Sequence, residues 1–423
     1  MTLLNDYQVP VFFVTPDINY GLAFVGLVDN FYLITLYDDP LLQYYQDKVE
    51  VFCLEQHGVV DYPNTAGHIL QHELSQRYIA EHSVGQQPRV VYFKPSPKLD
   101  KVIGEQGYLP IGIDSKLNRC LEDKLELSAW ADGWMPGFEK GAFDAFDYGL
   151  LKQRLGDILV VQTARGWAGQ STWLVRDFEQ WQDLGLGQRQ VRVSSYLFGK
   201  VLTVNGVIWE EQVLWGQVGR QVNPPDERFS SNPMATVGRI WDREVEYDGI
   251  YEWLAPIGGR LQQQGHQGWF GLDVIQSEGQ YYLIEVNPRM TASTSFYTRL
   301  ELQAERVPLV LYHLQAFEPE TMGLPPYKPA NRLQGSQVLL RYHGSPVLEH
   351  NSMAPRTWSG DGWLSYETQL SVDRINTIGT AKPEVSEGTE SVRFESLEVL
   401  VSSEGRLSDR LARLLSQKGK IDG

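Results

Sequence analysis

The chain has 423 residues, 42% hydrophobic and 21% charged, with a net charge of −16. That length holds two or three domains with a sizeable core, and the acidic balance excludes non-specific nucleic-acid binding, which needs a basic surface. Cys53 and Cys120 are too few for a disulfide framework and suit a reducing cytoplasm, while neither a basic-then-apolar leader nor a long apolar run points to export or a membrane.

Apolar runs at 10–15, 31–37, 49–54, 89–93 and 108–113 read as short buried strands. Helical stretches such as 66–79 separate them, so residues 1–115 are expected to form an α/β layer domain around a parallel sheet. PDINYG follows the first strand where a dinucleotide site would carry G-x-G-x-x-G, which disfavours such a site. Asp38 and Asp39 close the second strand and read as a solvated turn rather than as ligand contacts. His68 and His72, four apart on one expected helix face, lack a third ligand and read as ordinary helix surface.

Residues 117–133 read as one helix and 157–162 as a strand. The loop that follows, TARGWAGQST at 163–172, combines glycines with hydroxyls and is able to wrap its N–H groups around phosphate. Residues 190–198 form the next strand. In KVLTVNGVIW, at 200–209, Asn205-Gly206 reads as a type I′ turn between two short strands. The polar stretch 210–239 reads as a substrate loop. Its Arg220, Arg228 and Arg239 either clamp an acidic substrate or stand as surface arginines.

An amphipathic helix over 247–264 leads into GWFGLDVIQSEGQYYLIEVNPRMTASTS, residues 268–295. Two runs rich in aromatic and β-branched residues, 269–276 and 280–286, flank Ser277-Glu278-Gly279 and read as a hairpin with a three-residue loop. That loop pairs Gln276 with Gln280 and sets Asp273 opposite Leu283. Alternation then puts Asp273, Glu285 and Asn287 on one face, and Leu272, Val274, Ile284 and Val286 in the core. Unpaired buried carboxylates are costly, and two of them with an amide oxygen suit Mg²⁺. Arg289 follows, a planar cation suited to phosphate or carboxylate. A surface hairpin with solvated acids is the bland alternative, and the extra matching groups of Glu-x-Asn-Pro-Arg count against it.

Residues 295–315 read as a helix packed behind this hairpin. Four prolines and Gly323 mark 319–332 as a linker. Beyond it, strands over 336–342 and 393–401 suggest a small α+β or β-rich unit. A helix over 406–418 puts Leu407, Leu411, Leu414 and Leu415 on one face, docked on its own domain rather than on a membrane.

GLDVI followed by LIEVNPRMTAS resembles the metal- and phosphate-binding end of the ATP-grasp superfamily. The resemblance implies an α/β chain with α+β lobes in the ATP-grasp fold. A Rossmann-like pre-ATP-grasp domain would span 1–115, the ATP-grasp domain 116–320, and a small C-terminal domain 330–423. It also implies an ATP-dependent carboxylate–amine ligase, forming a C–N bond through an acyl phosphate, with ATP and Mg²⁺ (Mn²⁺ as the alternative ion). Asp273, Glu285 and Asn287 correspond to the metal ligands, and Glu285 and Arg289 to the catalytic groups.

The 163–172 loop corresponds to the family's phosphate loop, with Arg165, Gly166, Gly169, Ser171 and Thr172 as nucleotide contacts. Gln162 stands where the family usually carries a lysine, which leaves phosphate charge to Arg165, Lys124 and the metal. Lys124, in LEDK, is either the family's nucleotide lysine or a helix-surface lysine. Ser194 and Ser195 stand where a hinge glutamate is expected, leaving the backbone of Tyr196 and Leu197 to read adenine. Expected partners are a small acid and an amine in the cytoplasm, with no nucleic acid or membrane; a homodimer is compatible. Two rivals are a regulatory or degenerate ATP-binding protein, which Gln162 and Ser194 favour, and a biotin carboxylase-like enzyme activating bicarbonate. No Met-Lys-Met carrier segment is present, so the latter would need a separate carrier.

Overall fold

The structure, a computed structural model, describes residues 7–416 except 40, 46, 132, 167–170, 231, 319–322, 330–331, 342–355, 359–362, 366–377 and 382–389. Strands β1 (Val11–Thr15), β2 (Phe31–Thr35), β3 (Glu50–Cys53), β4 (Arg89–Tyr92) and β5 (Leu109–Ile111) form the expected parallel sheet, ordered β3-β2-β1-β4-β5. Parallel strands are covered on both faces, and β1 is buried along its whole length. Phe12 and Val14 pack beneath the domain's own helices. Val11 and Phe13 join a core that includes Trp269, Tyr297 and Leu309, so this domain is welded to the rest of the chain.

The helix expected over 66–79 is broken at His72. That residue has an extended backbone, and its ring Nδ1 accepts from the Leu74 N–H at 3.2 Å, capping the helix Glu73–Ser83. His68 and His72 therefore do not share a helix face. A similar break divides 117–133. The Asp123 carboxylate accepts from the N–H groups of Leu125 (3.0 Å) and Glu126 (3.3 Å), starting a new helix, Lys124–Trp130. Asp and Asn hold backbone N–H groups better at a helix start than inside a helix.

Strands β6 (Phe138–Ala142), β7 (Leu159–Thr163), β8 (Thr172–Val175) and β9 (Gln190–Ser195) build a small antiparallel sheet ordered β6-β9-β7-β8. Leu159, Val161, Val175, Val191 and Val193 form its core. Alternation turns Gln162, Thr172, Arg192 and Ser194 to the other face.

The large sheet begins with β10 (Lys200–Trp209), β11 (Gln212–Trp215), β12 (Gly219–Val222) and β13 (Gly238–Trp241). It continues through β14 (Gly268–Ser277), β15 (Gln280–Asn287) and β16 (Gly335–Arg341), then β17 (Arg356–Trp358), β18 (Trp363–Ser365), β19 (Ile378–Ala381) and β20 (Glu390–Ser396). Among the described residues its order is β15-β14-β10-β12-β13-β16-β20-β19-β17-β18, with β11 beside β10. The stretch 210–239, expected to be a loop, thus supplies three strands. The sheet runs without a break from the hairpin into the C-terminal strands.

Asn205-Gly206 is not a turn. β10 runs straight through it, paired with β14 from Lys200↔Gln276 to Ile208↔Gly268. The chain reverses instead at Glu210, where φ is +53°. Gly206 is required because a Cβ there would stand 2.4 Å from the Phe270 ring. The local turn signal lost to a long-range strand pairing.

One face of the large sheet is apolar, with Leu202, Leu272, Val274 and Val286 packed under the helix Ile250–Gln263. The other face carries the polar residues described below. The helix expected over 295–315 is two, Thr294–Gln303 and Leu309–Phe317, the second starting behind Pro308. Near the C-terminus Leu411 and Leu415 pack on Val338, Leu340 and Phe394, so the last helix docks on its own sheet. Among the described residues no helix is long and apolar enough to cross a membrane.

Candidate active site

The hairpin β14–β15 differs from its expected register in two ways. Its turn has two residues, Glu278 and Gly279, both with positive φ, so Ser277 pairs with Gln280. A bulge then shifts the register between Asp273 and Val274. Asp273 therefore lies opposite Glu285 rather than Leu283. Leu283, rather than Ile284, reaches the core, at 0% exposure. An inserted residue reverses the alternation beyond it, and here it sets two carboxylates directly face to face. Asn287 stands opposite Gly271, where a Cβ would meet the Thr291 methyl at 2.5 Å. Thr291 folds over this bare position and donates to Asn205 Oδ1 at 3.2 Å.

Burial raises the Asp273 pKa, the facing Glu285 raises it further, and Arg239 opposes both. Such a pair calls for a cation. Two facing carboxylates with an amide oxygen one pair along form an oxygen donor set that suits a hard divalent ion. The pair is sparse: among the described residues no group of three or more His, Cys, Asp or Glu could hold a metal. Asn287 Oδ1 takes only a long hydrogen bond, 3.4 Å, from Arg289 Nη2.

Opposite the hairpin stands Lys124, 4% exposed. The helix break at Asp123 turns it inward, so it is not a surface lysine. Its Nζ donates to the Gly166 carbonyl at 3.3 Å and lies 3.9 Å from Glu285 Oε1. It thus ties the phosphate-type loop to the acidic hairpin.

Gln162 is buried and occupied. Its Oε1 accepts from both Nε (3.2 Å) and Nη2 of Arg192, its cross-strand neighbour on β9, and its Nε2 donates to Thr172 Oγ1 at 3.1 Å. Arg192, 2% exposed, also donates to the Lys124 carbonyl at 3.3 Å and to Met135 Sδ at 3.5 Å. Burial pulls its pKa down to about 10, and Glu285 acts in the opposite sense. Sequence reasoning missed Arg192. The available signal was an arginine at an inward-alternating position of QVRVSS, directly across from the anomalous glutamine.

Around the loop, Gly166 leaves no room for a side chain, because a Cβ would stand 2.1 Å from Ser171 Oγ. Ser171 is 6% exposed. Arg165 is largely exposed and lies 3.7 Å from Asp123 Oδ2. Gly169 falls outside the described residues. Ser194 lies two residues beyond Arg192 on the same strand face. The Tyr196 N–H is spent on the Ile158 carbonyl at 3.0 Å, so it is not free to meet a base. Leu197 follows, half-buried, at the strand end.

Arg289 sits at the seam with the N-terminal domain. Its Nε contacts Glu122 Oε1 at 2.6 Å, and Lys94 Nζ meets Glu122 Oε2 at 2.8 Å. The guanidinium lies 4.8 Å from the Phe93 ring, itself stacked on Tyr20. Burial pushes the Glu122 pKa up, and Arg289 and Lys94 together more than reverse this, so it lies below its ordinary value. Of the three arginines in 210–239, Arg220 donates to the Val401 and Ser402 carbonyls and Arg228 grips Asp226. The charge of Arg239 acts on Asp273, pulling its pKa down.

Residues 151–293 match the family model ATP-grasp_3, an ATP-grasp domain. No curated protein matches the sequence. The fold is similar to N5-carboxyaminoimidazole synthetase from Staphylococcus aureus complexed with ADP, at TM-score 0.61 and 12% identity over 98% of this chain and 96% of that one. It is similar to phosphoribosylamine–glycine ligase from Thermotoga maritima, at TM-score 0.60 and 14% identity over 97% of each chain. A third similar structure is the biotin carboxylase domain of Hydrogenobacter thermophilus 2-oxoglutarate carboxylase with MgADP, ADP and bicarbonate, at TM-score 0.57 and 11% identity over 92% and 85%. The matched segment contains Gln162, Arg192, Asp273, Glu285 and Asn287, and Lys124 lies before it. Residues 151–293 thus match an ATP-grasp domain by sequence, and the described chain shares its fold with these three structures.

Proposed function

We propose that the protein is an ATP-dependent ligase that phosphorylates a carboxylic acid and joins the acyl phosphate to an amine. The observation that carries this reading is Asp273 facing Glu285 across the hairpin, with the buried cations Lys124 and Arg192 on the opposing lobe. Asp273, Glu285 and Asn287 would hold Mg²⁺, or Mn²⁺ in its place. The ion would supply positive charge to the ATP phosphates.

Lys124 would reach those phosphates from beneath Gly166. Arg165, Gly166, Ser171 and Thr172, with Gly169, would wrap them. Gln162 and Ser194 would line the pocket wall, and Tyr196 and Leu197 would close its adenine end. Arg289, at the seam beside Lys94, would hold the acid against the phosphoryl group. The acid oxygen attacks the γ-phosphorus and ADP leaves; the amine then attacks the acyl carbon and phosphate leaves. Positioning and fixed charge suffice for both steps, so no nucleophilic side chain is needed. The reading places the protein in the cytoplasm, with a homodimer as the assembly to test by sedimentation.

A phosphate-release screen tests it, pairing ATP with amino acids, small carboxylic acids and bicarbonate, each with and without amines. Release that needs both an acid and an amine supports the ligase. Bicarbonate as the one effective acid would favour the carboxylase-like reading, to which the similarity to a bicarbonate complex lends support. Nucleotide binding with no acid-dependent release would favour a regulatory protein. Against that last reading, the neutral Gln162 has Arg192 at its side, so the wall keeps a cation.

A further inference from the structure

Arg192 is a full positive charge taken out of water, and among the described residues no carboxylate lies within ion-pair distance of it. Burial of a guanidinium costs several kcal/mol unless its charge is met. Its partners are all neutral: the Gln162 amide oxygen, the Lys124 carbonyl and the Met135 sulfur. Gln162 is itself oriented by Thr172, so it grips the guanidinium without neutralising it. Lys124, a second cation at 4% exposure, stands alongside. The carboxylate that acts on both is Glu285, 3.9 Å from Lys124 Nζ. Glu285 also faces Asp273, and an ion bound between those carboxylates would claim its charge. Two buried cations would then be left for a polyanion.

We propose that Arg192 is a positioning residue for nucleotide phosphates: holding the Gln162 amide and the Lys124 backbone, it aims the Lys124 ammonium at the Gly166 loop and adds a second positive charge behind it. This rests on the ATP-dependent reading of the site. It explains a glutamine at position 162 without loss of charge, because the cation comes from the neighbouring strand.

Calorimetric affinities for MgADP and for adenosine, with melting temperatures, test the proposal on the full chain. Gln162→Glu neutralises Arg192 in place and preserves the contact, so the fold should hold or gain stability. MgADP should nevertheless bind about 10- to 100-fold more weakly, the range seen when a group that orients a binding residue is changed. Adenosine, which lacks phosphate, should bind as before. Arg192→Gln should show the same split, and Gln162→Lys/Arg192→Gln, which moves the cation across the strand pair, should recover most of the MgADP affinity. Unchanged MgADP binding in Gln162→Glu overturns the proposal. So does a parallel loss of MgADP and adenosine binding with a lowered melting temperature in Arg192→Gln, which is the mark of a structural clamp. If Arg192→Gln does not fold, Gln162→Glu decides alone. A wild-type chain that binds no MgADP overturns both this inference and the ligase reading; binding by wild type and Gln162→Glu alike overturns this inference only.

Discussion

Replacing Glu285 by Gln keeps the side chain's size and hydrogen bonding and removes one charge from the hairpin. Beside the attraction between Glu285 and Arg192, two nearer interactions change together. The like charge on Asp273 lies directly across the strand pair, at about 5 Å, and at an effective dielectric of about 20 their repulsion is about 3 kcal/mol. Lys124 Nζ lies 3.9 Å from Glu285 Oε1, an attraction of about 4 kcal/mol on the same scale. The two nearly cancel, so the variant without ligand should melt within a few degrees of wild type. With ligand the balance is different. A ligand at 100 times its Kd adds about 2.7 kcal/mol to wild type, worth about 3 °C in a chain of 423 residues. Glu285→Gln should lose most of that shift, and phosphate release should fall by about 100-fold or more. Thermal melts with and without MgADP, followed by the phosphate assay, read both effects. A Glu285→Gln protein that keeps the full MgADP shift and wild-type turnover would refute the assignment of this hairpin.

Gly166→Ala places a Cβ 2.1 Å from Ser171 Oγ and 2.2 Å from its Cβ. It should lower ATP-dependent turnover by up to about 100-fold by displacing the loop, with little change in melting temperature; normal turnover would show that the loop does not touch the nucleotide. Gly206→Ala pushes a methyl to within 2.4 Å of the Phe270 ring and should cost about 1 to 3 kcal/mol by overpacking. Phe270→Leu in the same chain should recover part of that in denaturant melts, whereas a glycine at a turn tip would gain nothing from it. His266 and His313 are buried, and burial lowers their pKa values to about 4 and about 3. Both stay neutral when folded and take a proton when unfolded below about pH 6.5. Their contribution is complete above that pH and falls as pH drops toward 4, by about 1.4 kcal/mol per pH unit for each. His313→Asn, which still has an oxygen to accept the Trp269 N–H, should remove one histidine's share of that slope; an unchanged slope would show that His313 is not held neutral.

Two features of this chain are written locally and were legible in one dimension. Continuous apolar runs mark the parallel strands of the N-terminal sheet, and runs of β-branched and aromatic residues with period-two alternation mark both strands of the acidic hairpin. The same alternation puts Asp273, Glu285 and Asn287 on one face, because side chains on one strand reach a common face every second residue. The exact partner of Asp273 was not legible. It depends on one extra residue, a bulge beside Ile284, whose position follows from how the hairpin packs on β10 and under the helix Ile250–Gln263. Asn205-Gly206 carried a strong turn signal, yet nine cross-strand pairs with β14 outweighed it, and the ring of Phe270 made glycine necessary for a reason unrelated to turning. Lys124 was undecided in sequence because a helix surface and a buried site use the same residue; the Asp123 cap is local, but Glu285 and Gly166, which meet the Lys124 ammonium, come from distant parts of the chain. Arg192 lies 30 positions from Gln162. Only the pairing of β7 with β9 brings that charge to the glutamine, since a charge acts on what is near it in space, and distance across strands is fixed by the tertiary fold.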